Sequence, residues 1–218
     1  MKKFILILAP ARSGSTALMN IVGSLPKSEI KGESWGGLIL IIRSYQRLLH
    51  NIQTKNGKPN TGFQHLTLDE MRFKTRHLIL NTWMNVNPAN YDYLGFKEVR
   101  FGDFPSSAEL MKWMLAVRDL FEDRLHFILY LREPADILAS MNQRPNWWLK
   151  KPSLGAIQEE SNRLQRAFDM VAQSGCSTSV VNQTQWSKDP SLLLRVFEDL
   201  GEKVPEQFLD RYYQMLRH

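Results

Sequence analysis

Cysteine is nearly absent from this chain: Cys176 is the only one in 218 residues. A lone thiol closes no intramolecular disulfide and builds no thiolate zinc site, so a reducing, cytoplasmic setting is expected, with Cys176 acting as a small hydrophobe. Long apolar runs are missing too. The opening stretch Phe4 to Ala9 follows Lys2 and Lys3 as a secretory leader would, but it is shorter than a leader's core and runs into Arg12, which favours a first buried strand. Arg43 interrupts the apolar segment Leu38 to Ile42, so no stable membrane insertion is expected. There is no dense basic run: 28 Lys and Arg against 22 Asp and Glu leave a formal charge of +6, but the cations are interleaved with acids, and no nucleic-acid partner is expected. The histidines, His50, His65, His77, His126 and His218, form no pair at metal-ligand spacing, and no metal is predicted. Internal repeats and low-complexity tracts are absent as well.

What is present is apolar material for one sizeable core, 43% of residues, which argues for a single domain over residues 1–218. Four short apolar runs, Lys3 to Ala9, Tyr93 to Val99, His126 to Leu131 and Ser177 to Val181, are separated by longer amphipathic stretches. That pattern predicts an α/β fold: a central parallel sheet buried on both faces and flanked by helices. A weaker fifth strand, Glu29 to Gly32, is expected to pair near the first. Helices are predicted at Thr16 to Gly23, Gly37 to His50, Leu68 to Met84, Ser106 to Phe121, Pro134 to Met141, Gly155 to Gln173, Pro190 to Gly201 and Pro205 to Leu216. The polar stretch Asn51 to Gln64 reads as a surface loop, and Arg144 to Leu154, with Trp147 and Trp148, reads as a second irregular segment.

The first strand leads into Pro10-Ala11-Arg12-Ser13-Gly14-Ser15-Thr16 and then a helix. Free amide N–H groups and the positive end of the helix dipole converge there, which makes an anion trap from backbone chemistry alone. Gly14 permits close approach, Ser13, Ser15 and Thr16 add hydroxyl donors, and Arg12 adds a fixed charge with a planar donor fork. A polar turn that merely caps the helix is the competing reading. No lysine precedes Ser15 or Thr16, so the Walker pattern is not met. The strand His126 to Leu131 ends in Arg132 where a magnesium-dependent hydrolase would carry an acid. Arg132 there favours a second anionic group, although a salt bridge to Glu133 or Asp136 would also account for it.

These two segments resemble those of the sulfotransferase family that uses 3′-phosphoadenosine 5′-phosphosulfate (PAPS). Ala11 to Leu18 matches the loop that cradles the 5′-phosphosulfate, and Arg132 followed eight residues later by Ser140 matches the 3′-phosphate site. Pro134 and Asp136 suit the first turn of the intervening helix on physical grounds alone. The resemblance implies a P-loop-like fold, PAPS as co-substrate with PAP as product, and a small-molecule, carbohydrate or phenolic hydroxyl acceptor. Over Val180 to Pro190 the likeness is weak: Gln183 and Thr184 stand where the family has a tyrosine and an acid, and no adenine contact is assigned. The branch implied is bacterial, carbohydrate or tyrosyl-type.

Sulfuryl transfer needs a base for the acceptor hydroxyl and positive charge for the leaving phosphate. Arg12 is the candidate for the leaving-group side. The resemblance offers Glu33, just after the second strand, as the base; an ordinary exposed glutamate is a weak base, so burial near Trp35 is expected to assist it. Lys97, one of three charges closing an otherwise buried strand, either stabilises the transferring oxygens or pairs with an acid, while Glu98 and Arg100 are placed to bridge each other. His65 is the fallback base, and His126 reads as packing. A P-loop small-molecule kinase and a non-catalytic nucleotide-binding module are the alternatives.

Overall fold

A computed structural model of the chain describes residues 1–33, 36–53, 66–143, 152–204 and 208. Five parallel strands form one sheet in the order β2-β3-β1-β4-β5, with β1 Lys3–Leu8, β2 Ser28–Lys31, β3 Tyr93–Glu98, β4 Leu125–Leu131 and β5 Ser177–Asn182. The helices between them are α1 Ser15–Val22, α2 Gly37–Gln53, α3 Leu68–His77, α4 Ser107–Phe121, α5 Pro134–Asn142, α6 Leu154–Gln173, α7 Gln183–Trp186 and α8 Leu194–Asp199. The α/β architecture with helices on both faces is as the apolar runs predict.

Strand alternation divides the core into two layers. Phe4, Leu6 and Leu8 face a cluster that includes Ile42, Met71, Trp113, Val117 and Phe168 from α2, α3, α4 and α6. Ile5, Ile7 and Ala9 face Leu18, Ile21, Val196 and Phe197 from α1 and α8. Because β1 is covered on both faces and flanked on both edges, every residue of Phe4 to Leu8 is fully buried, which is why that run is apolar without alternation. Gly95 sits opposite Ile5, where a Cβ would collide with the Ile5 carbonyl.

The short second strand lies near the first, as expected: it is one strand removed, paired with β3 at the edge of the sheet. Both edges of β1 are already taken by β3 and β4, and the half-exposed Ser-Glu-Ile-Lys of β2 suits a sheet edge. The helix predicted over Leu68 to Met84 is α-helical only to His77; a π-helical turn, Leu78–Trp83, completes it. That turn buries Ile79 and Leu80, and Trp83 stacks on Phe96 at 4.3 Å. Pro190 to Gly201 opens as a 3-10 turn, Pro190–Leu193, before α8. The predicted loop from Asn51 begins later, because α2 runs on to Gln53, and its remainder, with Trp147, Trp148 and the Pro205 to Leu216 helix except Phe208, lies outside the described residues. No helix among the described residues is long and apolar enough to cross a membrane.

Candidate active site

All five strands run the same way, so their carboxyl ends share one edge. The chain leaves β1 toward β2 on one side and β4 toward β5 on the other, which opens a crevice between β1 and β4 at that edge. The loop after β1 supplies Arg12 to Thr16, the turn after β4 supplies Arg132, and Ser140 follows two helical turns into α5. The segment after β2 supplies Glu33, and Lys97 is the penultimate residue of β3.

The loop is held in an uncommon backbone conformation. Arg12 has φ +63° and Gly14 φ +87°, both left-handed, while the Ser13 N–H donates to the Pro10 carbonyl at 3.3 Å. A non-glycine residue in that region costs about 1 kcal/mol or more, which a surrounding structure retains mainly at functional sites. Gly14 caps α1 and brings no side-chain hydrogen bond to the helix. The first N–H groups of α1 therefore face the crevice rather than a capping oxygen.

The two sequence motifs meet. Arg12 Nη2 donates to Ser140 Oγ at 3.2 Å, and Arg132 Nη1 donates to the Arg12 carbonyl at 3.2 Å. Neither guanidinium forms an ion pair among the described residues, so the salt bridge from Arg132 to Glu133 or Asp136 is not formed. Both cations are therefore left without a neutralising carboxylate at the same loop, which an anion bound there would supply. Arg12 Nε, Ser13 Oγ and Arg132 Nε are buried and carry no hydrogen bond, an exception to the rule that buried donors are satisfied. The donor set fits a ligand that carries more than one anionic group.

A second cluster adjoins the first through the loop. Lys97 Nζ donates to Thr16 Oγ1 at 3.0 Å and to Glu33 Oε1 at 2.9 Å. The Lys97 side chain is only 6% exposed and that of Glu33 is 50% exposed, so the ammonium is presented from below into an open carboxylate. Glu33 is thus not buried as expected, and Trp35 lies outside the described residues. Glu98, fully buried, accepts the backbone N–H groups of Val99 and Arg100 at 2.9 and 3.2 Å, so it ties down the strand end.

His126 lies near the amino end of β4, at the opposite end of the strand from Arg132, where its two ring nitrogens meet Ser177 Oγ at 2.7 Å and Ser179 Oγ at 2.9 Å. Burial lowers its pKa to about 4, so it is a neutral packing residue, as expected. His65 lies outside the described residues, and those residues hold no cluster of metal-ligating side chains.

Sequence reasoning missed Tyr130, Trp186 and Thr184. Trp186 Nε1 donates to Tyr130 Oη at 3.0 Å beneath the loop, and Thr184 Oγ1 is a further buried atom without a partner. A signal was available for Tyr130: it stands two residues before Arg132 at the carboxyl end of β4, and a phenol inside an apolar run needs a polar neighbour.

The fold and crevice define an α/β domain of P-loop-like architecture. The chain matches no protein-family model, and no curated protein matches it in sequence. Among solved structures it resembles a sulfotransferase from Alicyclobacillus acidocaldarius, with a TM-score of 0.53 at 13% identity over 94% of this chain and 85% of that one. Looser likenesses are the tunicamycin resistance protein of Deinococcus radiodurans, TM-score 0.40 at 14% identity over 81% and 97% of the two chains, and shikimate kinase from Bacteroides thetaiotaomicron, TM-score 0.42 at 10% identity over 91% and 98%. At 13% identity the likeness to the Alicyclobacillus acidocaldarius structure shows the fold alone.

Proposed function

We propose that the chain is a single sulfotransferase domain that moves a sulfuryl group from PAPS to a hydroxyl acceptor. The observation that carries the reading is the junction of the two anion sites: Arg12 bonded to Ser140, Arg132 bonded to the Arg12 carbonyl, and three buried donors there without partners. A nucleotide with phosphates at both its 5′ and 3′ ends is the ligand for which two unneutralised guanidiniums on one loop and the turn bonded to it make sense. Arg12, Ser13, Gly14, Ser15 and Thr16 would hold the 5′-phosphosulfate, and Arg132 with Ser140 the 3′-phosphate.

In the transfer, Glu33 takes the proton of the acceptor hydroxyl and the freed oxygen bonds to sulfur. The bond from sulfur to the 5′-phosphate oxygen breaks, and its electron pair stays on that oxygen. Arg12 and the amides of the first turn of α1 stabilise the charge left there, and Lys97 faces the sulfuryl oxygens as they pass between donor and acceptor. Lys97 also sets the orientation of Glu33, since the two side chains touch.

One observation favours a kinase instead: Glu98 ends β3 as a buried carboxylate, where a magnesium site would want an acid. Its engagement with two backbone N–H groups argues against that use. Calorimetric titration with PAP beside ATP decides between them. Submillimolar binding of PAP, tighter than that of ATP, is expected; ATP binding more tightly, with magnesium dependence, would favour the kinase. PAP binding without transfer to any hydroxyl, and no effect of Glu33→Gln, would leave a binding module.

A further inference from the structure

We infer that the hydroxyl of Tyr130 is a further ligand for the anion in the loop, donating a hydrogen bond to an oxygen at the 5′ end of the donor nucleotide. This rests on the donor reading above. Tyr130 lies on β4 with no exposure, and its Oη accepts the indole N–H of Trp186 at 3.0 Å. That contact fixes which side of the oxygen receives a proton and directs the phenol's own O–H elsewhere. Among the described residues its own O–H donates no hydrogen bond. Buried hydroxyl protons are normally satisfied, so this one points to a partner that binds from outside.

The position of the phenol indicates which partner. An ideal Cβ on Gly14 would stand 3.7 Å from Tyr130 Oη, so the hydroxyl lies against the point where the loop turns into α1. Gly14 presents only hydrogens there. Ser13 Oγ, the preceding side-chain oxygen, is also buried without a partner, and Arg132 follows Tyr130 by two residues in the turn after β4. Burial pushes the Tyr130 phenol well above its ordinary pKa, so it stays a neutral donor at any pH the protein meets. A neutral donor differs from the nearby guanidiniums in being insensitive to salt and strict about distance, which suits discrimination of the oxygen at the 5′ end.

Titration of PAP and of adenosine 3′-phosphate, which lacks the 5′ group, tests the inference on the full chain. Tyr130→Phe should weaken PAP by about fivefold or more while changing adenosine 3′-phosphate by less than about twofold. Because Tyr130→Phe removes the oxygen that accepts the Trp186 N–H and is expected to loosen the fold, the double variant Tyr130→Phe with Trp186→Phe is measured beside it. The PAP deficit should persist in the double variant. Equal losses for the two ligands, wild-type affinity for PAP, or a deficit that vanishes in the double variant would overturn the role of Tyr130 and leave the donor reading standing. Failure of the wild-type chain to bind PAP at all would overturn both.

Discussion

The ammonium of Lys97 lies 2.9 Å from a carboxylate oxygen of Glu33 across 64 residues of chain. Strand pairing makes the contact: Lys31 at the end of β2 stands opposite Phe96, so the next residues of both strands emerge side by side at the carboxyl edge. The same ammonium reaches Thr16 in the loop, so the candidate base and the candidate phosphate site share one cation.

Sharing that cation separates two kinds of loss. Glu33→Gln keeps the size and a hydrogen-bonding oxygen but cannot take a proton; kcat is expected to fall by about a hundredfold or more while PAP affinity stays within about twofold. Lys97→Met should also lower kcat, and since Thr16 and Glu33 are both exposed, neither is left stranded without water. Steady-state kinetics with a calorimetric PAP titration on each variant checks both, and a parallel loss of PAP affinity would remove Glu33 from the role of base.

Gly14→Ala tests the loop itself. The added methyl would make only ordinary contact with Tyr130 Oη at 3.7 Å, so sterics contribute little. The backbone decides, since φ is +87° there, and a cost of about 1–2 kcal/mol is expected. The variant should unfold at lower denaturant and bind PAP more weakly. Unchanged stability would mean that the loop relaxes freely into another conformation.

His126 makes stability depend on pH. Its folded pKa is about 4, against an ordinary 6.5, so the unfolded chain takes up a proton first as pH falls. The contribution is complete above about pH 6.5 and lost as pH drops toward about 4, a difference on the order of 3 kcal/mol. Urea melts at pH 7 and pH 4.5 should show this loss in the wild type and less of it in His126→Gln. An equal loss in both would assign the effect to other groups.

Asp119 joins three helices: it accepts from Tyr45 of α2 and from Arg72 of α3, and its own place is on α4. Burial alone would raise its pKa, but the hydrogen bonds from Arg72 and Tyr45 hold the carboxyl below its ordinary range. Asp119→Ala strands the Tyr45 hydroxyl, on a side chain 1% exposed, and should cost about 2–3 kcal/mol in a denaturant melt. A cost below about 1 kcal/mol would show that water replaces the carboxylate.

The strands of the interior were legible because burial on both faces forces uninterrupted apolar runs, as in Phe4 to Leu8. The loop was legible because a turn glycine between a strand and a helix has few other uses. The edge position of β2 was not, because its four half-exposed residues carry no hydrophobic signal for register. Nor was the contact of Arg12 with Ser140, which depends on the direction of a long side chain across 128 residues. Tyr130 was passed over for a related reason: inside an apolar run its ring accounts for its presence, and the use of its hydroxyl depends on Trp186, which only the fold brings near.

The most direct test of the account compares PAP with adenosine 5′-phosphate, which lacks the 3′ group, on the wild-type chain and on Arg132→Ala. If Arg132 grips the 3′ end while the loop holds the 5′ end, the substitution weakens PAP at least tenfold, about 1.4 kcal/mol, and leaves adenosine 5′-phosphate nearly unchanged. Equal weakening of the two ligands, or none, would contradict the claim that one nucleotide spans both sites.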